Sequence, residues 1–212
     1  MQVTWFGHAS LRIKTNAGTV IYVDPFAGEE SWYDSQADLV LVTHAHYDHL
    51  KVSLLHKIVG DNSVVLGTSA VRSQHHEAKL VWPEEHHEVK GIRIQVVESY
   101  NLKSKYHPKG DGIGYVLQFD DTSVYIAGDT DFIPEMRKIR ADIVFLPVGG
   151  TYTMGAKEAA EIVLGMKPKV AVPIHWGSVV GTRDDAELFK EIIDNAGVTT
   201  VAIPRQNEEV TV

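Results

Sequence analysis

Short runs of apolar residues, several of them alternating with polar ones, fill the first part of the chain and predict β-strands. Four such runs are QVTWF (2–6), LRIKT (11–15), TVIYVD (19–24) and ADLVLVTH (37–44). The last is continuous enough for a strand that is buried on both faces. The apolar spacing of LKVSLLHKIVG (50–60) predicts a helix that ends at Gly60.

The remainder of the chain alternates predicted strands with predicted helices. The strands are expected over 63–68, 92–99, 141–150, 169–176 and 199–204, and the helices over 69–80, 133–140, 156–166 and 184–197. Segment 113–129 predicts a hairpin that turns at Asp120 and Asp121. This alternation indicates an α/β organisation.

Two parts of the chain resemble each other. In each copy a β-run ends in an aspartate and is followed by a second apolar strand that starts at Ala-Asp. The first copy is TVIYVDP, with Asp24, followed by ADLVLVTH. The second copy is SVYIAGDT, with Asp129, followed by ADIVFLPVGG. We expect one domain over 1–212 with two pseudo-repeated halves packed face to face. Equivalent strand ends would then converge on one cleft.

The segment THAHYDHL (43–50) places three histidines and an aspartate directly after an apolar run. His44 and His46 stand two apart and therefore project to the same side of an extended segment. Imidazoles and a carboxylate suit zinc, manganese, iron or nickel. A solvated polar loop is the alternative, but so dense a cluster at the end of a buried strand would be costly without a metal ion.

Composition narrows the classes of function. The 212 residues include no cysteine, which excludes disulfides, thiolate metal sites and thiol nucleophiles. Twenty Lys and Arg against 28 Asp and Glu give a net charge of −8, which disfavours nucleic-acid and anionic membrane partners. Without a signal-peptide pattern or an apolar run of about 20 residues, we expect a cytoplasmic protein with a small-molecule substrate. A homo-oligomer is compatible with the sequence.

The three histidines and one aspartate of THAHYDHL cannot saturate two metal ions, so further ligands must come from other parts of the chain. His107, Asp129 and His175 each end or border an apolar run and are the candidates. Each has an alternative interpretation: a loop histidine beside Pro108, a turn aspartate, and a core histidine, respectively. The pairs His75–His76 and His86–His87 lie among charged residues and are expected on the solvated surface.

THAHYDHL, followed by AGDT and PIHW, resembles the metallo-β-lactamase fold superfamily, whose signature is His-x-His-x-Asp-His. HPKGDGIGYV, AGDTD and PVGGTYTM are similar to its metal-dependent hydrolase branch, related to the ascorbate-6-phosphate lactonases. The resemblance spans nearly the whole chain. It implies a four-layer αββα sandwich in which two mixed β-sheets are flanked by helices.

The resemblance also implies roles for individual residues. One divalent ion would be held by His44, His46 and His107, a second by Asp48, His49 and His175, with Asp129 bridging both. Asp24 would hydrogen-bond a ligating imidazole without binding metal itself, the alternative being a strand-end turn. His8 would contact substrate or carry a proton, although a structural role is equally open. Tyr152, Thr153 and Met154 could line the pocket or form a plain loop.

The expected activity is hydrolysis by a hydroxide that bridges the two ions, zinc first among the candidate metals. Two ions contribute +4, and Asp48, Asp129 and the hydroxide subtract three, so an anionic ester, lactone or phosphodiester is favoured. Asp48, Asp129 and His8 are the candidate catalytic residues, and His8, Asp48 or a metal-bound water could protonate the leaving group. Asp129 and His46 disfavour the antibiotic-degrading and di-iron branches, respectively. The alternative function is a non-catalytic metal-binding or ligand-sensing module.

Overall fold

The computed structural model describes residues 1–102 and 104–211, and these residues build two seven-stranded sheets. The first sheet has the order β14-β1-β2-β3-β4-β5-β6. Its strands are β1 (Gln2–Gly7), β2 (Ser10–Lys14), β3 (Val20–Val23), β4 (Leu39–Leu41), β5 (Val64–Gly67), β6 (Lys79–Leu80) and β14 (Glu209–Thr211). Strands β14, β1, β2 and β3 pair antiparallel, whereas β3 to β6 pair parallel.

The second sheet has the order β13-β12-β11-β10-β9-β8-β7. Its strands are β7 (His86–Val89), β8 (Ile92–Ser99), β9 (Gly112–Phe119), β10 (Thr122–Ile126), β11 (Ile143–Pro147), β12 (Val170–Ile174) and β13 (Thr200–Val201). Strands β7 to β10 pair antiparallel and β10 to β13 pair parallel. Both sheets thus combine an antiparallel and a parallel part. The interpretation as pseudo-repeated halves of one domain stays a prediction.

Alternation along the strands of the first sheet separates two apolar layers. Ile21 and Leu39 belong to the large core that the two sheets share, while their neighbours Tyr22 and Val40 belong to a second cluster. That second cluster includes residues of two short helices, α1 (Val52–Ile58) and α2 (Ser69–Gln74). These helices therefore cover the outer face of the first sheet.

The other two helices contact strands of the second sheet. They are α3 (Ala156–Met166) and α4 (Arg183–Ala196). Buried side chains of both, such as Ala159 and Phe189, belong to the large core, and each helix contacts strands of the second sheet. Two short 3-10 helices, Glu30–Trp32 and Pro134–Lys138, lie in connecting segments. The predicted fold, two mixed sheets flanked by helices, is confirmed.

Several predicted boundaries were wrong for local reasons. The helix predicted over 69–80 ends at Gln74, because Lys79 and Leu80 pair with β5 instead. The first helix ends at Ile58, before Gly60, and the one expected over 133–140 is only a 3-10 helix. Strands β7 and β14 were not predicted, since both are edge strands that contain few apolar residues.

Two predicted chain reversals agree with the structure. Asp120 and Asp121 form the hairpin turn with φ of 49° and 58°, the left-handed pair that a two-residue hairpin prefers. Gly197, at φ 65°, ends α4. In the described part of the chain, none of the helices is both apolar and long enough to traverse a lipid bilayer.

Candidate metal centre

All the predicted site residues come together at one end of the two sheets. Asp24 follows β3, Asp129 follows β10 and His175 follows β12, so that each lies just past the carboxyl end of a strand that pairs in parallel. Polar groups at the carboxyl ends of such strands form the usual ligand crevice of α/β sheets. The loop between β4 and α1 carries His44, His46, Asp48 and His49. The loop between β8 and β9 carries His107, and the turn between β1 and β2 carries His8.

The first group of possible ligands comprises His44, His46 and His107, whose ligand atoms lie within 4.8 Å of one another. Nδ1 of His46 is 3.1 Å from Nε2 of His44 and 3.2 Å from Nε2 of His107. His46 is exposed, whereas the other two imidazoles are buried. Three ring nitrogens thus face a common point that opens to solvent on one side.

The second group comprises His8, Asp48, His49 and His175, again with ligand atoms within 4.8 Å of one another, and all four residues are buried. The rings of His8 and His175 lie 3.9 Å apart between centroids. Nε2 of His8 is 3.3 Å from Oδ2 of Asp48. The group joins the two sheets, because the backbone N–H of His175 donates to the carbonyl of His8 at 2.8 Å.

Asp129 lies between the two groups. Its Oδ1 is 3.2 Å from Nε2 of His49, and its Oδ2 is 2.9 Å from Nε2 of His175 and 3.4 Å from Nε2 of His107. One carboxylate therefore approaches imidazoles of both groups. Its backbone is fixed as well, since the Ser99 hydroxyl donates to the Asp129 carbonyl at 3.1 Å.

The atoms of this cluster fit divalent cations. Nε2 of His49, Nε2 of His175 and Oδ1 of Asp129 are buried and have no hydrogen-bond partner, despite their short mutual distances. Buried polar atoms without partners are costly, and donor atoms that converge without bonding one another are what a metal ion needs. The set offers only imidazole nitrogen and carboxylate oxygen, which suits zinc and related ions.

Electrostatics inside the cluster follow from burial and the close carboxylates. Burial alone would lower the pKa of His49, but Asp129 and Asp24 outweigh it and raise that pKa well above its usual value. Burial would likewise raise the pKa of Asp129, but the neighbouring His175 and His49 hold it well below its usual range. The pKa of His44 is lowered well below normal, mainly by burial. Asp129 is therefore an anion that demands positive charge beside it.

Asp24 orients His49. Its Oδ1 accepts the backbone N–H of Thr43 at 2.7 Å, and its Oδ2 accepts the Thr43 hydroxyl at 2.8 Å and faces Nδ1 of His49 at 2.9 Å. In the neutral ring, which is the form that binds a cation, an Nδ1–H donated to Asp24 leaves the lone pair of Nε2 free and directed at Asp129. Asp24 is thus a partner of a candidate ligand and belongs to neither ligand group.

Asn101 orients His107 in the same way, and sequence analysis missed it. Its Oδ1 accepts from the backbone N–H of His107 at 3.1 Å and lies 3.0 Å from Nδ1 of the ring. Its Nδ2 donates to the Tyr152 carbonyl at 2.9 Å. An asparagine two residues past the end of β8, at the same sheet end as the other polar residues, was the available signal.

The backbone is strained at three of the site residues. His8, Asp24 and His175 have φ of 50°, 43° and 60°, values that L-residues rarely adopt. Such residues cluster at functional sites, where the surrounding structure offsets the cost. Gly128 must be glycine for a related reason, because a Cβ there would lie 2.9 Å from the Ile113 carbonyl. A residue without a side chain is therefore needed directly before Asp129.

A cavity of about 250 Å³ opens onto the cluster. It is lined by His46, Tyr47, Asp48, Tyr106, His107, Asp129, Tyr152 and Val179. Of the PVGGTYTM loop only Tyr152 lines it, since Thr153 and Met154 are buried elsewhere. His8 is fully buried and outside the lining, so it could act on a substrate only through a neighbour such as Asp48.

One surface prediction was wrong. His75 is buried beside the ring of His56 at 5.7 Å, whereas His76 and His86 are exposed as expected and His87 is half-buried. Its neighbours in sequence are polar, but the end of α2 turns its ring inward. His75 belongs to none of the possible ligand groups among the described residues.

Comparison with known proteins agrees with the geometry. Residues 2–175 match the family model described as the beta-lactamase superfamily domain, and the chain belongs to that superfamily. More narrowly, it is 33% identical to a UPF0173 metal-dependent hydrolase of Methanopyrus kandleri, over 93% of this chain and 94% of the relative. The chain's relatives are thus metal-dependent hydrolases by name.

Solved structures share the fold. A protein from Parabacteroides distasonis ATCC 8503 superposes with a TM-score of 0.86 at 30% identity, over 96% of this chain and 92% of that one. Igni18, a metallo hydrolase from Ignicoccus hospitalis, gives a TM-score of 0.83 at 23% identity, over 99% and 97%. At that lower identity the likeness concerns the fold alone.

Proposed function

We propose that this protein is a binuclear metal-dependent hydrolase that acts on a small ester, lactone or phosphodiester. The observation that carries the proposal is the position of Asp129, whose two oxygens lie within 3.4 Å of imidazoles from both ligand groups. One cation would be held by the first group, His44, His46 and His107. The other would be held by Asp48, His49 and His175, with Asp129 shared.

Zinc suits this set of nitrogen and oxygen ligands best, and manganese, nickel and iron also accept it. When bound, two divalent cations lower the pKa of water and stabilise negative charge on an acyl or phosphoryl oxygen. The chain supplies the geometry: Asp24 and Asn101 fix the orientation of His49 and His107, and the ligands other than His46 are buried.

Asp48 is the candidate for proton transfer at the cavity. Burial would raise its pKa, but the hydrogen bond with His8 and the charge of His49 lower it, so Asp48 is a carboxylate at neutral pH. Because Asp48 lines the cavity, its carboxylate can accept a proton from the attacking water and return it to the leaving group. His8, at 3.3 Å from Oδ2, would position that carboxylate.

Charge favours an anionic substrate. Two divalent ions bring +4 into a cluster whose candidate ligands include two carboxylates, Asp48 and Asp129. Positive charge therefore remains for a carboxylate or phosphate group of the substrate, in a buried site where such attraction is strong.

The experiment compares chelator-stripped protein with protein reloaded with Zn²⁺ or Mn²⁺, on a panel of activated esters, lactones and phosphodiesters. We expect turnover only after reloading, and a loss of at least a hundredfold in Asp129→Asn. The control is Asp121→Asn, an exposed aspartate of the hairpin turn whose φ of 58° asparagine tolerates. Two bound ions without turnover on the whole panel would instead identify a non-catalytic metal-binding module.

A further inference from the structure

The mouth of the metal-centre cavity is unusually rich in exposed aromatic surface. Tyr47 is 71% exposed and Tyr106 is 60% exposed, and both line the cavity together with Tyr152 and Val179. They are two of the most exposed large hydrophobic side chains among the described residues. Contiguous apolar surface beside a reactive site marks a binding surface.

The lining of this cavity contains neither lysine nor arginine in the part of the chain that the structure describes. Bidentate clamping of a carboxylate or phosphate by arginine is therefore absent from these walls. The walls around the cluster offer tyrosine ring faces, ring edges and hydroxyls, and the isopropyl group of Val179, instead. Recognition of the part of the substrate that lies away from the metal ligands therefore relies on the tyrosine side chains and on apolar contact.

The aromatic pair lies beside the candidate ligand His107. The rings of Tyr106 and Tyr152 lie 4.6 Å apart at 71°, an edge-to-face arrangement. Tyr106 directly precedes the candidate ligand His107, and the Tyr152 carbonyl accepts from Asn101 and lies 3.2 Å from Nδ1 of His107. The backbone segments that carry both tyrosines are therefore tied to His107, which places the pair beside the reacting groups.

The size of the cavity fits one ring beside a small reacting group. A cavity of about 150 Å³ is enough to hold benzene. The cavity here is about 250 Å³, so that a phenyl ring leaves space for an ester or phosphoryl group next to the ligand cluster.

We propose that the substrate carries an aromatic ring next to the bond that is hydrolysed, and that Tyr106 and Tyr152 select it by ring contact. Water adds its OH to the acyl or phosphoryl centre, the bond to the leaving oxygen breaks, and that oxygen receives the proton. The placement of the ring beside the scissile bond rests on the proposed hydrolase function. The ring contact itself is a binding property and is measurable without turnover.

The test uses zinc-loaded protein and two phosphonates, benzylphosphonate and cyclohexylmethylphosphonate, whose affinities are measured by calorimetry. The probes share the charged group and have similar apolar size, so their ratio reports aromatic contact. We expect benzylphosphonate to bind about three to ten times more tightly, the range given by aromatic pairs beyond their buried area. The ratio should fall to near one in Tyr106→Ala and persist in Tyr106→Phe.

The matched control is Trp82→Ala. Trp82 is also aromatic and 49% exposed, but it lies between β6 and β7 and outside the cavity lining. Equal affinity of the two probes in the wild type, binding of neither probe, or an unchanged ratio in Tyr106→Ala would overturn the inference. A preserved ratio in a protein that hydrolyses nothing on the panel would support the aromatic site and count against the hydrolase proposal. Loss of self-association in Tyr106→Ala, with equal probe affinities, would assign the tyrosines to a subunit contact and also overturn it.

Discussion

Replacement of Asp24 by asparagine tests how the cluster fixes its imidazoles. The wild-type carboxylate accepts the backbone N–H of Thr43 at 2.7 Å and the Thr43 hydroxyl at 2.8 Å, and it faces Nδ1 of His49 at 2.9 Å. An asparagine amide has one oxygen that accepts and one nitrogen that only donates. If the oxygen keeps the Thr43 N–H, the amide nitrogen faces Nδ1 of His49, which must then accept.

This exchange moves the ring proton of His49 to Nε2, the atom that lies 3.2 Å from Asp129 and belongs to the candidate ligand set. A protonated nitrogen cannot bind a cation. Loss of such an orienting partner typically costs ten- to a hundredfold in metal affinity, or about 1.4 to 2.7 kcal/mol. We expect that loss for the ion held by Asp48, His49 and His175, and near wild-type affinity for the other ion.

The assay is competition against a chromophoric chelator, which resolves two zinc-binding steps. Asp38→Asn is the matched control, because Asp38 also accepts a backbone N–H, that of Val20 at 2.9 Å, but belongs to none of the ligand groups. Both variants should unfold at lower temperature, whereas only Asp24→Asn should lose affinity. If Asp24→Asn bound both zinc ions with wild-type affinities, the proposed change of tautomer at His49 would be refuted.

Three further results are expected. Asn101→Ala should lower the affinity for the ion held by the first group about tenfold in the same chelator assay, because Nδ1 of His107 loses a partner at 3.0 Å. The pKa of Asp142 is lowered to about 2, first by the hydrogen bond with Lys169. The ionised Asp142 therefore stabilises the folded state fully above about pH 4, and this contribution is lost as the pH falls to about 2. Urea unfolding at several pH values should show that Asp142→Asn removes this acid-dependent part of the stability. Gly165→Ala in α3 should stabilise the fold by about 0.5 to 1 kcal/mol in the same unfolding assay, since a Cβ there meets nothing within 4 Å.

Local patterns in the sequence were sufficient to predict the strands around the site. The continuous run 37–44 is β4 and its loop, and His44, His46 and His49 follow a strand whose central residues are fully buried. Asp129 and His175 were predictable because each stands at the end of an apolar run, and strand ends of a parallel sheet meet at one edge. Their roles as metal ligands stay predictions.

The missing parts depend on contacts between residues far apart in the chain. Strand β14 exists because Thr211 pairs with Gln2, which nothing near position 211 signals. The tyrosine pair unites Tyr106 and Tyr152 from two loops, and although Tyr152 was a candidate for the pocket wall, nothing in the sequence pairs it with Tyr106. Loop conformation of this kind follows from tertiary contacts, which hydrophobic periodicity does not encode.

The central claim is that two cations share one aspartate. Anomalous diffraction from crystals of zinc-loaded protein measures this most directly, since each bound ion gives its own peak. We predict two peaks per chain, one beside His44, His46 and His107 and one beside Asp48, His49 and His175, with Asp129 between them. A single peak, or none in this cluster at saturating zinc, would contradict the account.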